Sequence, residues 1–171
     1  MSINILELQR VGYRLFFFDR DMRTKQGESD REIQQDIEAV LLSLDCKAVE
    51  VTSAIRHGTL HVVLIIHRRD GVDIDACADV YKAVYPRLEI LYPGKEVHLE
   101  VSSPGITRVF KSPAEFEIFK GLGVKLLLDE ESEWRSGTIM GTSEESVDIS
   151  TGDSIDTYQF SAIRKAKLDN T

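Results

Sequence analysis

Two adjacent hydroxyls and two cations share one short stretch of this chain: Ser102 and Ser103 precede Pro104-Gly105, and Arg108 and Lys111 follow close behind. A serine at a turn becomes a nucleophile only with a base to take its proton and donors to hold the oxyanion. The pattern glycine, any residue, serine, any residue, glycine is missing, no glycine-rich phosphate loop occurs, and no histidine is placed by sequence to act as base. Catalysis is therefore not expected, and no catalytic residue is assigned. As a binding set the residues fit better. Ser102, Ser103, Gly105, Arg108 and Lys111 would make a small polar, cationic spot for phosphate oxygens or a partner's backbone carbonyls. Arg108 has a second reading, as a guanidinium that braces the corner by bonding to carbonyls left open by the turn.

Arg56 with His57, and His67 with Arg68 and Arg69, form a further cationic set that can meet phosphate or simply make a solvated rim. Aromatic residues do not interleave with these cations, so single-strand recognition by base stacking is not indicated. Trp134, with Tyr158 and Phe160, can stack on a ligand or pack inward. Its alternation with Ser136 along an expected strand favours packing. His57, His61, His67 and His98 fall on loops and strands with no second ligand class nearby, so no metal and no cofactor is expected. Cys46 and Cys77, widely spaced among apolar residues, read as reduced structural thiols.

The 171 residues carry a formal net charge of −8, about −3 before Gly94 and −5 after it. Neither half is basic. A protein holding duplex nucleic acid over its whole surface would carry the opposite sign, whereas an acidic chain can use one local patch or bind a basic protein. No apolar run approaches the ~20 residues of a membrane-spanning helix, and the first residues lack a basic start, so a cytoplasmic location is expected.

Several elements must position these groups. Residues 1–28 show no sustained period and read as an N-terminal extension, with Met22 an alternative natural start of translation. Ser29-Asp30-Arg31-Glu32 has capping-box spacing, and Ile33, Ile37, Val40, Leu41 and Leu44 recur at helical intervals. Val49 to Thr52 and Leu60 to Ile66 read as a hairpin around Arg56-His57-Gly58-Thr59. Asp73 is positioned to cap a helix with Cys77, Val80, Tyr81 and Val84 on one face, ending at Pro86. Val97 to Val101 alternate as a third strand, stopped by a tight corner with fixed φ at Pro104 and positive φ available at Gly105. Residues 29–103 thus form an α-β-β-α-β domain. In residues 104–171, a Ser112-Pro113-Ala114-Glu115 capping box opens a short helix. Five short strands with acidic or glycine-bearing turns follow, suggesting a small closed barrel. The fold class is α+β.

The run Leu99-Glu100-Val101-Ser102-Ser103-Pro104-Gly105 with Arg108 resembles the bacterial ribosome maturation factor RimP family. So do the helix start Gly71-Val72-Asp73-Ile74-Asp75-Ala76-Cys77 and the pattern Gly121, Val124, Trp134, Gly137, Thr138, Gly141, Val147 and Ile149. The final Ile163-Arg164-Lys165-Ala166-Lys167-Leu168 is also similar, and the likeness covers about residues 33–168. Thr107 and Val109 depart from the aspartate and proline that flank this arginine in the family, and residues 1–27 have no counterpart. The resemblance implies an N-terminal α+β domain and a C-terminal SH3-like all-β barrel, in a non-enzymatic factor acting late in small-subunit maturation. Its implied partners are the small-subunit precursor, a basic small-subunit ribosomal protein (protein twelve) and nearby rRNA. By their charge and place at the hairpin ends, Arg56, Arg68 and Arg69 are candidate contacts to such rRNA. The alternative is a general RNA-binding module with a Sm-like or SH3-like barrel.

Overall fold

The structure is a computed structural model, and it describes residues 25–129 and 131–169. The expected extension and Met22 lie outside the described residues, except that residues 25–28 already belong to the first helix. The chain divides between Pro104 and Gly105 into two compact units.

The first unit runs α1 (Lys25–Ser43), β1 (Cys46–Arg56), β2 (Thr59–Arg68), α2 (Ile74–Leu91) and β3 (Glu96–Ser102). The sheet order is β1-β2-β3, with β1 antiparallel and β3 parallel to the central β2. A two-residue turn joins β1 to β2, where His57 has φ 51 and Gly58 φ 90. Positive φ at both positions matches the right-handed twist of the flanking strands. The parallel β3 needs a crossover, which α2 supplies. Leu60, Val62, Leu64 and Ile66 of β2 alternate, so they share one sheet face. All are fully buried, against Ile33, Ile37 and Leu41 of α1 and Val80, Val84 and Leu88 of α2. Each such side chain contributes roughly 1.5–3 kcal/mol by leaving water. The unit is therefore two layers, helices over sheet.

Local signals were followed in part. Asp73 caps α2 as expected, its Oδ1 accepting from the Ala76 N–H at 2.8 Å. The helix does not stop at Pro86 but runs through it to Leu91. The face Ala76, Val80, Val84, Leu88 keeps four-residue spacing across the proline, and burial of Leu88 beyond it helps offset the lost backbone bond. Ser29 does not cap α1 either, because the helix begins upstream at Lys25. Its neighbour Asp30 instead accepts from both the N–H and the Oγ of buried Ser53 on β1, each at 2.6 Å. The Ser29 Oγ also lies 3.3 Å from the Ser53 Oγ, so the side chain that local spacing assigns to a cap serves a tertiary contact.

The second unit comprises α3 (Ala114–Ile118), β4 (Gly123–Leu128), β5 (Arg135–Thr142), β6 (Ser146–Ser150), β7 (Ile155–Gln159) and β8 (Ile163–Leu168), with a 3₁₀ turn at Phe160–Ala162 before β8. The five strands form one antiparallel sheet ordered β7-β6-β5-β4-β8. The expected closed barrel is not observed. Among the described residues β7 and β8 are the end strands, β7 pairing with β6 and β8 with β4. Phe110, Phe116 and Phe119 are fully buried, with Phe110 edge-on to Phe116 at a centroid distance of 4.8 Å. Gly137 belongs where β5 meets β6, because a Cβ there would overlap the Ile149 side chain and the Ser150 carbonyl.

Candidate functional site

Arg108 is the member of the sequence-derived set with the most specific surroundings. Its Nε donates to Glu115 Oε2 at 2.6 Å and its Nη2 to Glu115 Oε1 at 3.1 Å, and the side chains are only 8% and 3% exposed. Glu115 Oε1 also accepts the Lys111 N–H at 2.8 Å. The expected capping box is thus displaced. Glu115 reaches back past Ser112 to Lys111, and α3 starts with no side-chain cap. The Arg108 carbonyl accepts the Leu168 N–H at 2.9 Å, and Phe110 N–H donates to the Ala166 carbonyl at 2.9 Å. One planar, two-pronged contact therefore ties α3 to the segment that borders β8. The guanidinium is braced on a carboxylate of its own unit.

The corner also differs from expectation. Gly105 does not take positive φ, and a Cβ there would meet nothing. The turn lies one step later, closed by Arg108 N–H donating to the Gly105 carbonyl at 2.9 Å. Ser102 closes the β2–β3 ladder opposite Ile65 and is half-buried, whereas Ser103, Gly105 and Lys111 are exposed. Ser102 and Ser103 belong to the first unit, and Gly105, Arg108 and Lys111 to the second.

The hairpin cations are not brought together. Arg56 faces Thr59 at the turn, while Arg68 faces Cys46 at the other end of the ladder. Nine strand steps of ~3.3 Å place them about 30 Å apart. Arg68 Nε donates to the Gly71 carbonyl at 3.0 Å, and Arg56 and Arg69 are exposed. Half-buried His67 has its pKa lowered, first by burial and then by the ammonium of Lys47, which stands opposite it across the ladder.

Trp134 departs from the expected packing. It lies just outside β5, 39% exposed, with Lys167 Nζ 4.6 Å from its ring centroid. Its indole packs against a cation, not into the core. Next to it, Arg135 is paired with Glu131 and approaches Tyr158 Oη at 3.5 Å. The four-residue spacing of this pair is a helical signal, yet Glu131 lies in a loop before β5, so the sequence alone does not point to it. Cys46 and Cys77 are free thiols, and burial is the largest cause raising both pKa values, which keeps them protonated and weakly nucleophilic. Among the described residues, no group of three or more His, Cys, Asp or Glu side chains is placed to hold a metal, and no helix is long and apolar enough to cross a membrane.

A helix-covered mixed sheet followed by a small antiparallel β unit, with polar groups at strand ends and turns, defines a two-unit α+β protein. Residues 36–107 match the RimP N-terminal domain family. The chain is 30% identical over 137 residues to the ribosome maturation factor RimP of Borrelia hermsii (strain HS1 / DAH), across 80% of this chain and 94% of that relative. It is 32% identical over 128 residues to the ribosome maturation factor RimP of Borreliella burgdorferi (strain ZS7), across 74% and 85%. This chain belongs to the RimP family.

Proposed function

We propose that this chain is a ribosome maturation factor that acts late on the small ribosomal subunit, as a cytoplasmic binding protein and not as an enzyme. The observation that carries the reading is the extent of the likeness to ribosome maturation factors, 80% of the chain, which is more than either unit alone. The partners are a small-subunit precursor, a basic small-subunit ribosomal protein (protein twelve) and nearby rRNA. A net charge of −8 supports the protein partner, since an acidic factor attracts basic chains through its long-range field. We read the second unit as an SH3-like barrel left open at its seam, because its two end strands are joined by a turn of only three residues.

Ser102 and Ser103 of the first unit, and Gly105 and Lys111 of the second, supply polar contacts to the partner, while Arg56, Arg68 and Arg69 meet rRNA phosphates at two separate points. Arg108 holds the backbone beside Lys111 through Glu115. A hydrolytic role for Ser102 lacks support: His98 lies four residues back on the same strand, about 13 Å away and outside the reach of a general base.

Co-sedimentation with small-subunit precursors, mature subunits and free ribosomal proteins tests the reading. Binding to precursors in preference to mature subunits is expected. Steeply salt-dependent binding to arbitrary RNA, with no recognition of precursors, would replace it with a general RNA-binding module.

A further inference from the structure

The two end strands of the second sheet are treated differently by the chain. The outer side of β8 is partly covered, since Val109 bridges to Lys167 and the flanking backbone groups of Arg108 and Phe110 are bonded to Leu168 and Ala166. Strand β7 pairs with β6 alone among the described strands. Its bonding parity follows from the two ends of that ladder. Thr151 N–H donates to the Ser154 carbonyl at 3.0 Å and Phe160 N–H to the Glu145 carbonyl at 2.8 Å. In an antiparallel pair, bonded and non-bonded positions alternate, so Asp156 and Tyr158 bond to β6. Ile155, Thr157 and Gln159 then point their N–H and C=O groups outward. Ile155 is 61% exposed, and Thr157 and Gln159 are also exposed. A row of outward backbone groups is a template for another strand.

Charge selects the occupant. Residues 136–163 contain Glu144, Glu145, Asp148, Asp153 and Asp156 and no lysine, arginine or histidine. Arg135, which reaches Tyr158, is itself held by Glu131. A second copy of this strand would bring Asp153 and Asp156 against their like, whereas a lysine- or arginine-rich strand would find opposite charge.

We propose that the open edge of β7 captures an extended, basic segment of a protein partner as a sixth strand. Backbone bonds to Ile155, Thr157 and Gln159 would supply affinity, and the surrounding carboxylates the choice of sign. The proposal rests on the reading of a basic ribosomal protein as partner.

Gln159→Pro isolates the edge. Gln159 already has φ −67 and ψ 135, which proline adopts without strain, and its outward N–H is not used by β6. The probe is a short peptide alternating lysine with threonine, beside its glutamate–threonine counterpart. Expected results are slowed amide exchange at Ile155, Thr157 and Gln159 with the lysine peptide alone, and about tenfold weaker binding by Gln159→Pro at unchanged melting temperature. Asp153→Asn with Asp156→Asn serves as a second variant and weakens the same binding without touching the backbone. Equal binding of both peptides, protection elsewhere, or undiminished binding by the variants overturns the proposal. So does a concentration-dependent dimer that Gln159→Pro abolishes. If the wild type ignores small-subunit precursors while the lysine peptide still protects β7, the ribosomal reading falls and the edge stands. If precursors bind but the peptide arm fails, the edge proposal falls alone.

Discussion

Arg108 and Glu115 form a two-pronged ion pair at 2.6 and 3.1 Å, in which neither side chain is more than a tenth exposed. Its position explains how an arginine in a conspicuous polar stretch serves the scaffold. It joins the short α3 to backbone already bonded to β8, leaving Ser103, Gly105 and Lys111 at the surface. Removing one partner of a buried pair strands the other charge, which is more damaging than replacing both.

Arg108→Ala is accordingly expected to destabilise the second unit by about 3–5 kcal/mol. Replacing Arg108 and Glu115 together with apolar residues of similar volume should recover much of that loss. Trp134, the sole tryptophan, reports on this unit by fluorescence during urea unfolding. Unaltered stability of Arg108→Ala together with lost precursor binding would assign the guanidinium to the contact surface instead.

Pro86 sits inside α2 without the N–H that the helix ladder would use. An interior proline costs about 3 kcal/mol relative to alanine, offset by up to about 1 kcal/mol because it restricts the unfolded chain. Pro86→Ala should raise the stability of the first unit, read by amide exchange of core residues such as Val84 and Leu88. No slowing there would show that the helix is adapted to the proline.

Gly137→Ala tests the closeness of β5 and β6. The added methyl would overlap the Ile149 side chain and the Ser150 carbonyl. Backbone cannot yield as a flexible side chain does, so a loss of about 1–3 kcal/mol is expected in urea unfolding. A neutral result would mean that the two strands separate readily.

His67 should make stability depend on pH. Its folded pKa lies below the ordinary value of ~6.5, because burial and then Lys47 disfavour the imidazolium. The unfolded chain therefore binds the proton more readily, and stability rises with pH across this window. The contribution is fully present above ~6.5 and is lost as pH falls from there toward the lowered folded value. His67→Gln should flatten that part of the urea midpoint against pH, and an unchanged slope would exclude His67 as the source.

Arg56 and Arg69 stand at opposite ends of the hairpin, so phosphate contacts made there should act independently. Each alanine variant is expected to reduce the salt slope of precursor binding by about 0.7–0.9, and the double variant by the sum. Slopes identical to wild type would make both cations solvated rim.

Much of the architecture was legible in the chain because its signals are local. Alternation in Leu60, Val62, Leu64 and Ile66 marks a strand face, four-residue spacing in Ile33, Ile37 and Leu41 marks a helix face, and Asp73 marks a helix start. The candidate site was less legible. Trp134 looked like core from its place beside Ser136, yet it lies just before β5 under the ammonium of Lys167.

The amino-acid sequence by itself determined the order and type of the main elements and the acidic balance. Those follow from backbone preference, apolar period and composition, which act over a few residues or over the whole chain. Only the tertiary structure decided that Ser29 and Asp30 face Ser53 instead of capping a helix, and that α2 passes through Pro86. It also decided that Arg108 and Glu115 are buried together and that, among the described strands, β7 pairs with β6 alone. In each case a buried polar group or an apolar face had to be satisfied by residues brought near through folding, and that requirement overrode the local signal.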